Sequence, residues 1–185
     1  MNHRTADDLA THLDFLRAAP AHRGTLDLVV RRPRHAEREV LAEGVLDVAA
    51  GLEGDNWLSR ATRRAVEEGR HLDAQLNVMS ARMIGLLGGT PQHQAGAGDQ
   101  LYLDLDLSTT NLSTGSRIAL GDSAVIEVTA KPHNGCKKFV ARFGEEAAAF
   151  VNSAEGKELR LRGFCARVVT GGTVRPGDAA VLLGA

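Results

Sequence analysis

Cysteine, lysine and aromatic side chains are scarce in this chain of 185 residues, which holds 2 cysteines, 1 tryptophan, 1 tyrosine and 5 phenylalanines. Lysine occurs only at Lys131, Lys137, Lys138 and Lys157, and the other basic side chains are arginines. No apolar run reaches the length of a bilayer span, and residues 1–8 lack the apolar core of a secretion signal. These absences argue against a membrane or exported protein. With so few cysteines, a reducing cytoplasm is the expected setting, and the two thiols are expected to stay unpaired. Cys-x-x-Cys is missing, and the gap from Cys136 to Cys165 fits no zinc-ligand spacing. The histidines are scattered, with no i,i+4 pair around a glutamate. Gly-x-Ser-x-Gly, the Walker loop and a Gly-x-Gly-x-x-Gly following a strand are also missing. A net charge of -1 gives no global attraction to nucleic acid or to an acidic membrane.

What remains is an ordinary globular composition, 43% hydrophobic and 24% charged, enough for one well-filled core. Thr5 is placed to cap a first helix with Leu9, Leu13 and Leu16 on one stripe, and Pro20 ends it. That makes residues 1–23 a helical N-terminal unit and 24–185 the main domain. Strands are expected over 26–31, 39–49 (irregular near Gly44), 75–79, 100–107, 117–120, 124–129, 164–170 and 179–183. Ser80 is placed to cap a helix over 81–87, with two further short helices at 136–143 and 145–152. The stretch 58–70 reads as a helix or a flap. Four Gly-Asp pairs (54–55, 98–99, 121–122, 177–178) suit turns between strands, because glycine tolerates positive φ and aspartate bonds nearby amides. Many short strands with regular turns predict a fold that is mainly β with short helices, a barrel or compact sandwich.

Within this frame Cys136 is the most informative residue. It follows the run Lys131-Pro132-His133-Asn134-Gly135 and precedes Lys137-Lys138-Phe139. Cations on both sides favour the thiolate, the form that attacks electrophiles and binds soft metals, and Pro132 and Gly135 mark a sharp turn. A small buried hydrophobe is the competing reading. From Lys131 to Arg167 the basic residues outnumber the acidic ones, eight against four.

The segments Gly51-Leu52-Glu53-Gly54-Asp55-Asn56-Trp57, Gly98-Asp99-Gln100-Leu101, the Cys136 run with Arg142-Phe143-Gly144, and 161–168 leading into 171–178 occur in a definite order. In that order they resemble the MOSC domain, named for the C-terminal part of molybdenum cofactor sulfurases. The resemblance spans about residues 25–183. It implies a MOSC-like β-barrel with a pocket for the pterin-based (molybdopterin-type) molybdenum cofactor, and a cysteine that binds molybdenum or carries sulfur. Cys136 matches that cysteine. By the same resemblance, the activity is reduction of N-hydroxylated or N-oxygenated small molecules, with electrons from a redox partner protein. The alternative is a non-catalytic carrier of the cofactor, or of sulfur as a Cys136 persulfide received from a sulfur donor protein. Neither a nucleic acid nor a membrane is implied as a partner, and a homodimer is neither implied nor excluded. Gly135 replaces the proline that several branches place before the cysteine, which leaves the loop less rigid.

For the remaining candidates two roles stay open. Lys137, Lys138, Arg142 and Arg162 are candidates to hold the cofactor's phosphate, the arginines by a bidentate fork, or else to sit on a solvated face. His133 and Asn134 are candidates to face the oxo ligands. Asp55 either bonds the pterin or closes the turn opened by Gly54. Trp57 either stacks on a planar ligand or anchors the core. Asn77 and Asn111 either offer amides to a pterin edge or end strands and turns. Cys165, between Phe164 and Ala166, is expected in the core.

Overall fold

The computed structural model describes residues 3–184. Residues 1, 2 and 185, at the outer ends of the two expected units, lie outside the described residues. The elements in chain order are α1 (Ala6–Ala10), α2 (Leu13–Arg17), β1 (Arg23–Arg31), β2 (Glu39–Leu41), β3 (Gly44–Asp47), β4 (Gly51–Leu52) and α3 (Arg63–Glu67). Then come β5 (Leu76–Ser80), α4 (Ala81–Leu87), α5 (Pro91–Gln94), β6 (Leu101–Asp104), β7 (Arg117–Leu120) and β8 (Ala124–Val128). The chain ends with α6 (Lys137–Phe143), α7 (Glu145–Asn152), α8 (Ala154–Glu158), β9 (Phe164–Thr170), β10 (Gly172–Val174) and β11 (Ala179–Leu182).

Seven strands close into a barrel in the order β1, β6, β5, β9, β8, β7, β11, sealed where Thr25 of β1 registers with Ala179 of β11. Six of the seven pairings are antiparallel; β5 and β6 run parallel. A parallel pair needs a crossover, and α4 and α5 supply it. β2 extends β1, and β10, β3 and β4 form a small separate sheet.

Two apolar clusters result. One fills the barrel with Leu26, Val29, Leu76, Leu101, Ile118, Ile126 and Val168. The other seats the helices on the outer wall, with Met79, Tyr102, Phe139 and Phe143 at its centre. β5 and β6 are therefore covered on both faces. The strand expected over 100–107 runs only from Leu101 to Asp104, and Tyr102 within it is fully buried beneath the helices.

Ser80 caps α4 as its sequence predicts, accepting a hydrogen bond from the amide of Met83. Thr5 caps α1 through the amide of Asp8. The first helical stripe is broken, however: α1 ends at Ala10 and α2 resumes at Leu13, with Leu9 and Leu16 still buried. The segment 58–70 becomes a 3-10 turn followed by α3.

All four Gly-Asp glycines sit at positive φ, from 60° at Gly121 to 95° at Gly177. Asp178 closes its turn by accepting from the amide of Arg175. Asp55 and Asp99 do more than close turns, since both carboxylates are buried against arginines.

Candidate functional site

The strand β8 leads into a loop, 129–136, that runs to the start of α6. Thr129 anchors its start, donating to Asp73 O at 2.6 Å. At its end, Asn152 on the last turn of α7 accepts from the amide of Gly135 (2.9 Å) and donates to its carbonyl (3.2 Å). Those two bonds fix a residue that the sequence alone marks as flexible. A Cβ at position 135 would meet Asn152 Nδ2 at 2.9 Å, so a larger residue would have to displace the side chain that makes both bonds.

Cys136 then stands at the N-cap of α6, and its side chain is exposed. Partial burial pushes its thiol up. The first-turn amides of Phe139 and Lys138 and the charge of Arg162 outweigh that and hold it below the ordinary cysteine range. No side-chain cap hydrogen bond closes, so the amides act as oriented dipoles facing the sulfur rather than as a formed cap.

The sulfur borders a cavity of about 720 Å3. Six arginines line it (Arg32, Arg34, Arg38, Arg60, Arg142 and Arg162), with Lys138 and no Asp or Glu. The excess is felt by its members: burial, then the charges of Arg142, Arg32 and Arg60, push Arg38 below the ordinary guanidinium range. Three buried polar atoms at this cavity lack a hydrogen-bond partner: Arg38 Nε, Arg162 Nε and Asn56 Oδ1.

Two buried carboxylates hold the wall in place. Asp55, with no exposed side-chain surface, takes a forked pair of bonds from Arg32 Nε and the Arg32 terminal nitrogen, both at 2.8 Å. It also accepts from the backbone amides of Arg32 and Trp57. Asp99, equally buried, accepts from Arg162 at 2.6 Å on one oxygen and meets His133 Nε2 at 2.5 Å on the other. Arg162 further donates to Ala97 O and lies over the Phe139 ring, 5.1 Å from its centroid. The short turn before β9 that presents Arg162 depends on Gly163, at φ 93°, where a Cβ would overlap Val78 O.

Burial raises Asp99, and Arg162 together with the hydrogen bond from His133 more than compensates, keeping the carboxyl below its ordinary range. His133 goes down: its burial, together with Arg162 and Arg32, outweighs the pull of Asp99. The consistent state is a neutral imidazole donating Nε2–H to an ionised Asp99, with Nδ1 left as an acceptor.

Of the residues singled out in the sequence, Cys136, His133, Asn134, Asn77, Lys138, Arg142 and Arg162 all line the one cavity. The others are placed elsewhere. Lys137 is exposed and does not line it. Asp55 lies beneath Arg32 with no surface to offer a ligand. Trp57, 5% exposed, lines a neighbouring cavity, where its indole N–H donates to Ala50 O and its ring stacks on His71. Asn111 belongs to another part of the molecule; its amide donates to Ala21 O and Asp106 O. The Arg162 fork is engaged by Asp99 and Ala97, so its Nε is what remains; Arg142 likewise gives one terminal nitrogen to Gly96 O.

Sequence reasoning missed the cations of the first half: Arg32, Arg34 and Arg38 around the β1–β2 turn, and Arg60. The signal was present in the run Arg31-Arg32-Pro33-Arg34-His35-Ala36-Glu37-Arg38, four arginines in eight residues. It also missed Asp99 as a partner for His133 and Arg162, which nothing local marks.

Cys165 is buried in β9, its sulfur 3.6 Å from Asn77 Oδ1, and both cysteines are free. Among the described residues, no three His, Cys, Asp or Glu side chains converge as a metal cage, and no helix is long and apolar enough to cross a membrane.

Comparison with known proteins agrees with this architecture. The family model described as the MOSC domain matches residues 91–181. The YuaD protein from Bacillus subtilis superposes with a TM-score of 0.56 at 15% identity, covering 85% of this chain and 94% of that one. YiiM from Geobacillus stearothermophilus gives 0.56 at 17% identity, over 88% of this chain and 75% of its own. YiiM from Escherichia coli gives 0.53 at 19% identity, over 88% and 70%. No curated protein sequence matches the chain.

Proposed function

From the match of residues 91–181 to the MOSC domain we propose that the cationic cavity holds the molybdenum cofactor with Cys136 as the metal's protein ligand. On this reading the protein is a reductase of N-hydroxylated or N-oxygenated compounds. One observation carries the proposal. An exposed sulfur, held toward its thiolate by helix amides, borders a cavity of about 720 Å3 lined by seven Lys and Arg side chains and no carboxylate.

The residues present fit such a group. A thiolate is a soft donor suited to a transition metal. Arg32 and Arg162 are balanced by Asp55 and Asp99, but Arg38, Arg60, Arg142 and Lys138 have no ion-pair partner among the described residues, and with Arg38 Nε and Arg162 Nε unpartnered the cavity favours an anionic occupant. Lys138, Arg142 and Arg38 would take the phosphate, and the amides and carbonyls of 97–98 and 132–134, with Asn77, would meet a heterocycle's edge. Bound there, the cofactor supplies two-electron redox chemistry.

The chain's own residues do the rest. Asp55 and Asp99 fix Arg32 and Arg162, so the cationic wall needs no reorganisation when an anion arrives. Neutral His133, with Nε2–H held by Asp99, keeps an acceptor nitrogen available for a proton. The loop 129–136, tied at Thr129 and Gly135, keeps Cys136 and His133 in fixed relation.

Protein produced in a host that assembles the cofactor tests the reading. The expected result is near-stoichiometric molybdenum in the wild type, little in Cys136→Ala, and reduction of a hydroxylamino-purine or an amidoxime by the loaded wild type. Molybdenum without turnover would favour the carrier role. Wild type without molybdenum, under conditions where a known cofactor enzyme from the same host is loaded, would overturn cofactor binding.

A further inference from the structure

The Cys136 cavity shares a wall with a second one of about 480 Å3; Arg32, Arg60, Asn77, Pro132 and His133 border both. The second cavity has a different character. Trp57, Ala61, Ala65 and Ala74 give it an apolar side. That side is firmly built, because the indole and the His71 ring lie parallel, 3° between planes and 5.6 Å between centroids, while Ala50 O holds the indole N–H.

Its cations divide into two kinds. Arg32 is neutralised by Asp55, and Arg70 pairs with Glu68. Arg60 and Lys131 also line it and have no ion-pair partner among the described residues, and no Asp or Glu does. An apolar wall facing two uncompensated cations is a poor place for a neutral molecule and a good one for a flat organic anion. Its volume suits a ring with one charged arm.

We propose that this second cavity is the substrate pocket, and that it selects a flat N-oxygenated molecule carrying a carboxylate or a phosphate. The apolar side receives the ring, Arg60 and Lys131 receive the anion, and the shared wall at Asn77 and His133 directs the N-oxygenated end toward the Cys136 cavity. This rests on the reductase reading and names its substrate class. A site built for a charged group discriminates strongly against the analogue lacking it, because the cations are then left unpaired.

Trp57 is the only tryptophan, so its fluorescence reports occupancy of this pocket without any turnover. The test uses molybdenum-free full-length protein and three probes: benzamidoxime bearing a para-carboxylate, a para-phosphate ester or a para-methyl group. The expected result is that at least one charged probe shifts Trp57 emission and binds about tenfold or more tightly than the methyl compound. Comparing the two charged arms decides between carboxylate and phosphate. Arg60→Gln and Lys131→Gln, both at exposed positions where folding is little affected, should each erase most of the preference. Cys136→Ala should keep it, which separates this pocket from the question of molybdenum binding. Equal binding of the neutral probe would overturn the proposal. So would a preference that survives both substitutions, or one that disappears instead in Arg142→Gln, which lines only the first cavity.

Discussion

The chain's two thiols are the same group in opposite circumstances. Cys165, in β9, is buried at the edge of the Trp57 cavity, and burial pushes it up to about 11; nearby Lys131 and Arg162 offset only part of that. Cys136, at the start of α6, is exposed and held below the ordinary range. Arg162 acts on both sulfurs, so a neighbouring cation is not what separates them. The difference lies in desolvation and in the amides of Phe139 and Lys138, which only Cys136 faces. The charges of Lys137 and Lys138, which the sequence reading credited, are not among the main causes. For this loop, the backbone at a helix start does what the flanking side chains were expected to do.

The largest way to break the comparison is to remove the carboxylate that holds their shared cation. Asp99→Asn leaves Arg162 buried with a neutral partner, and the expected loss is about 3–5 kcal/mol in urea unfolding, as for other severed buried pairs. A loss below about 1 kcal/mol would mean that Arg162 swings into the cavity and that the wall is not fixed by Asp99.

Next in size is the reactivity contrast. With iodoacetamide at pH 7.5, Cys136 should be alkylated at least about a hundredfold faster than Cys165, because only the thiolate reacts and Cys165 is both deprotonated with difficulty and enclosed. Peptide mapping by mass spectrometry reads both sites in one sample. The rate at Cys136 should level off at a pH below the usual thiol value of about 8.5. Equal rates would remove the physical basis for Cys136 as a metal ligand. Smaller again is the stability contrast: Cys165→Ala should cost about 1 kcal/mol through the vacated core volume, whereas exposed Cys136→Ala should stay within about 0.5 kcal/mol.

Most local structure was legible because local rules govern it. Ser80 and Thr5 cap as their side chains require, the Gly-Asp glycines take positive φ, and the helices after Cys136 follow their apolar spacing. The order of the family segments carried the barrel. What stayed hidden joins residues far apart in the chain. The parallel pairing of β5 with β6 and the seal between β1 and β11 leave no periodic trace. At the site, the loop was legible from one segment, whereas the cavity facing it is built from Arg32, Arg38, Asn56 and Arg60, which only the barrel brings there. Asp55 and Asp99 read as turn residues because their second role, burial under an arginine, depends on partners 23 and 63 positions away.

A last contrast concerns His133, which lines the Cys136 cavity and the Trp57 cavity beside Cys165. Its folded pKa lies below the ordinary value of about 6.5, chiefly through burial. The unfolded chain therefore takes up a proton first as pH falls, and the unfolded state gains. Stability from this residue is complete above about pH 6.5 and is lost between there and its lower folded pKa, at no more than about 1.4 kcal/mol per pH unit. His133→Gln should flatten that slope between pH 6.5 and 5 while leaving the steeper loss near the carboxylate range, to which Asp99 contributes with the same sign. Urea midpoints across this range give the slopes. A mutant slope equal to that of the wild type would mean that folding does not lower the His133 pKa, and a mutant slope steeper than the wild type's would mean that the folded protein holds His133 charged, without the acceptor nitrogen assigned to it.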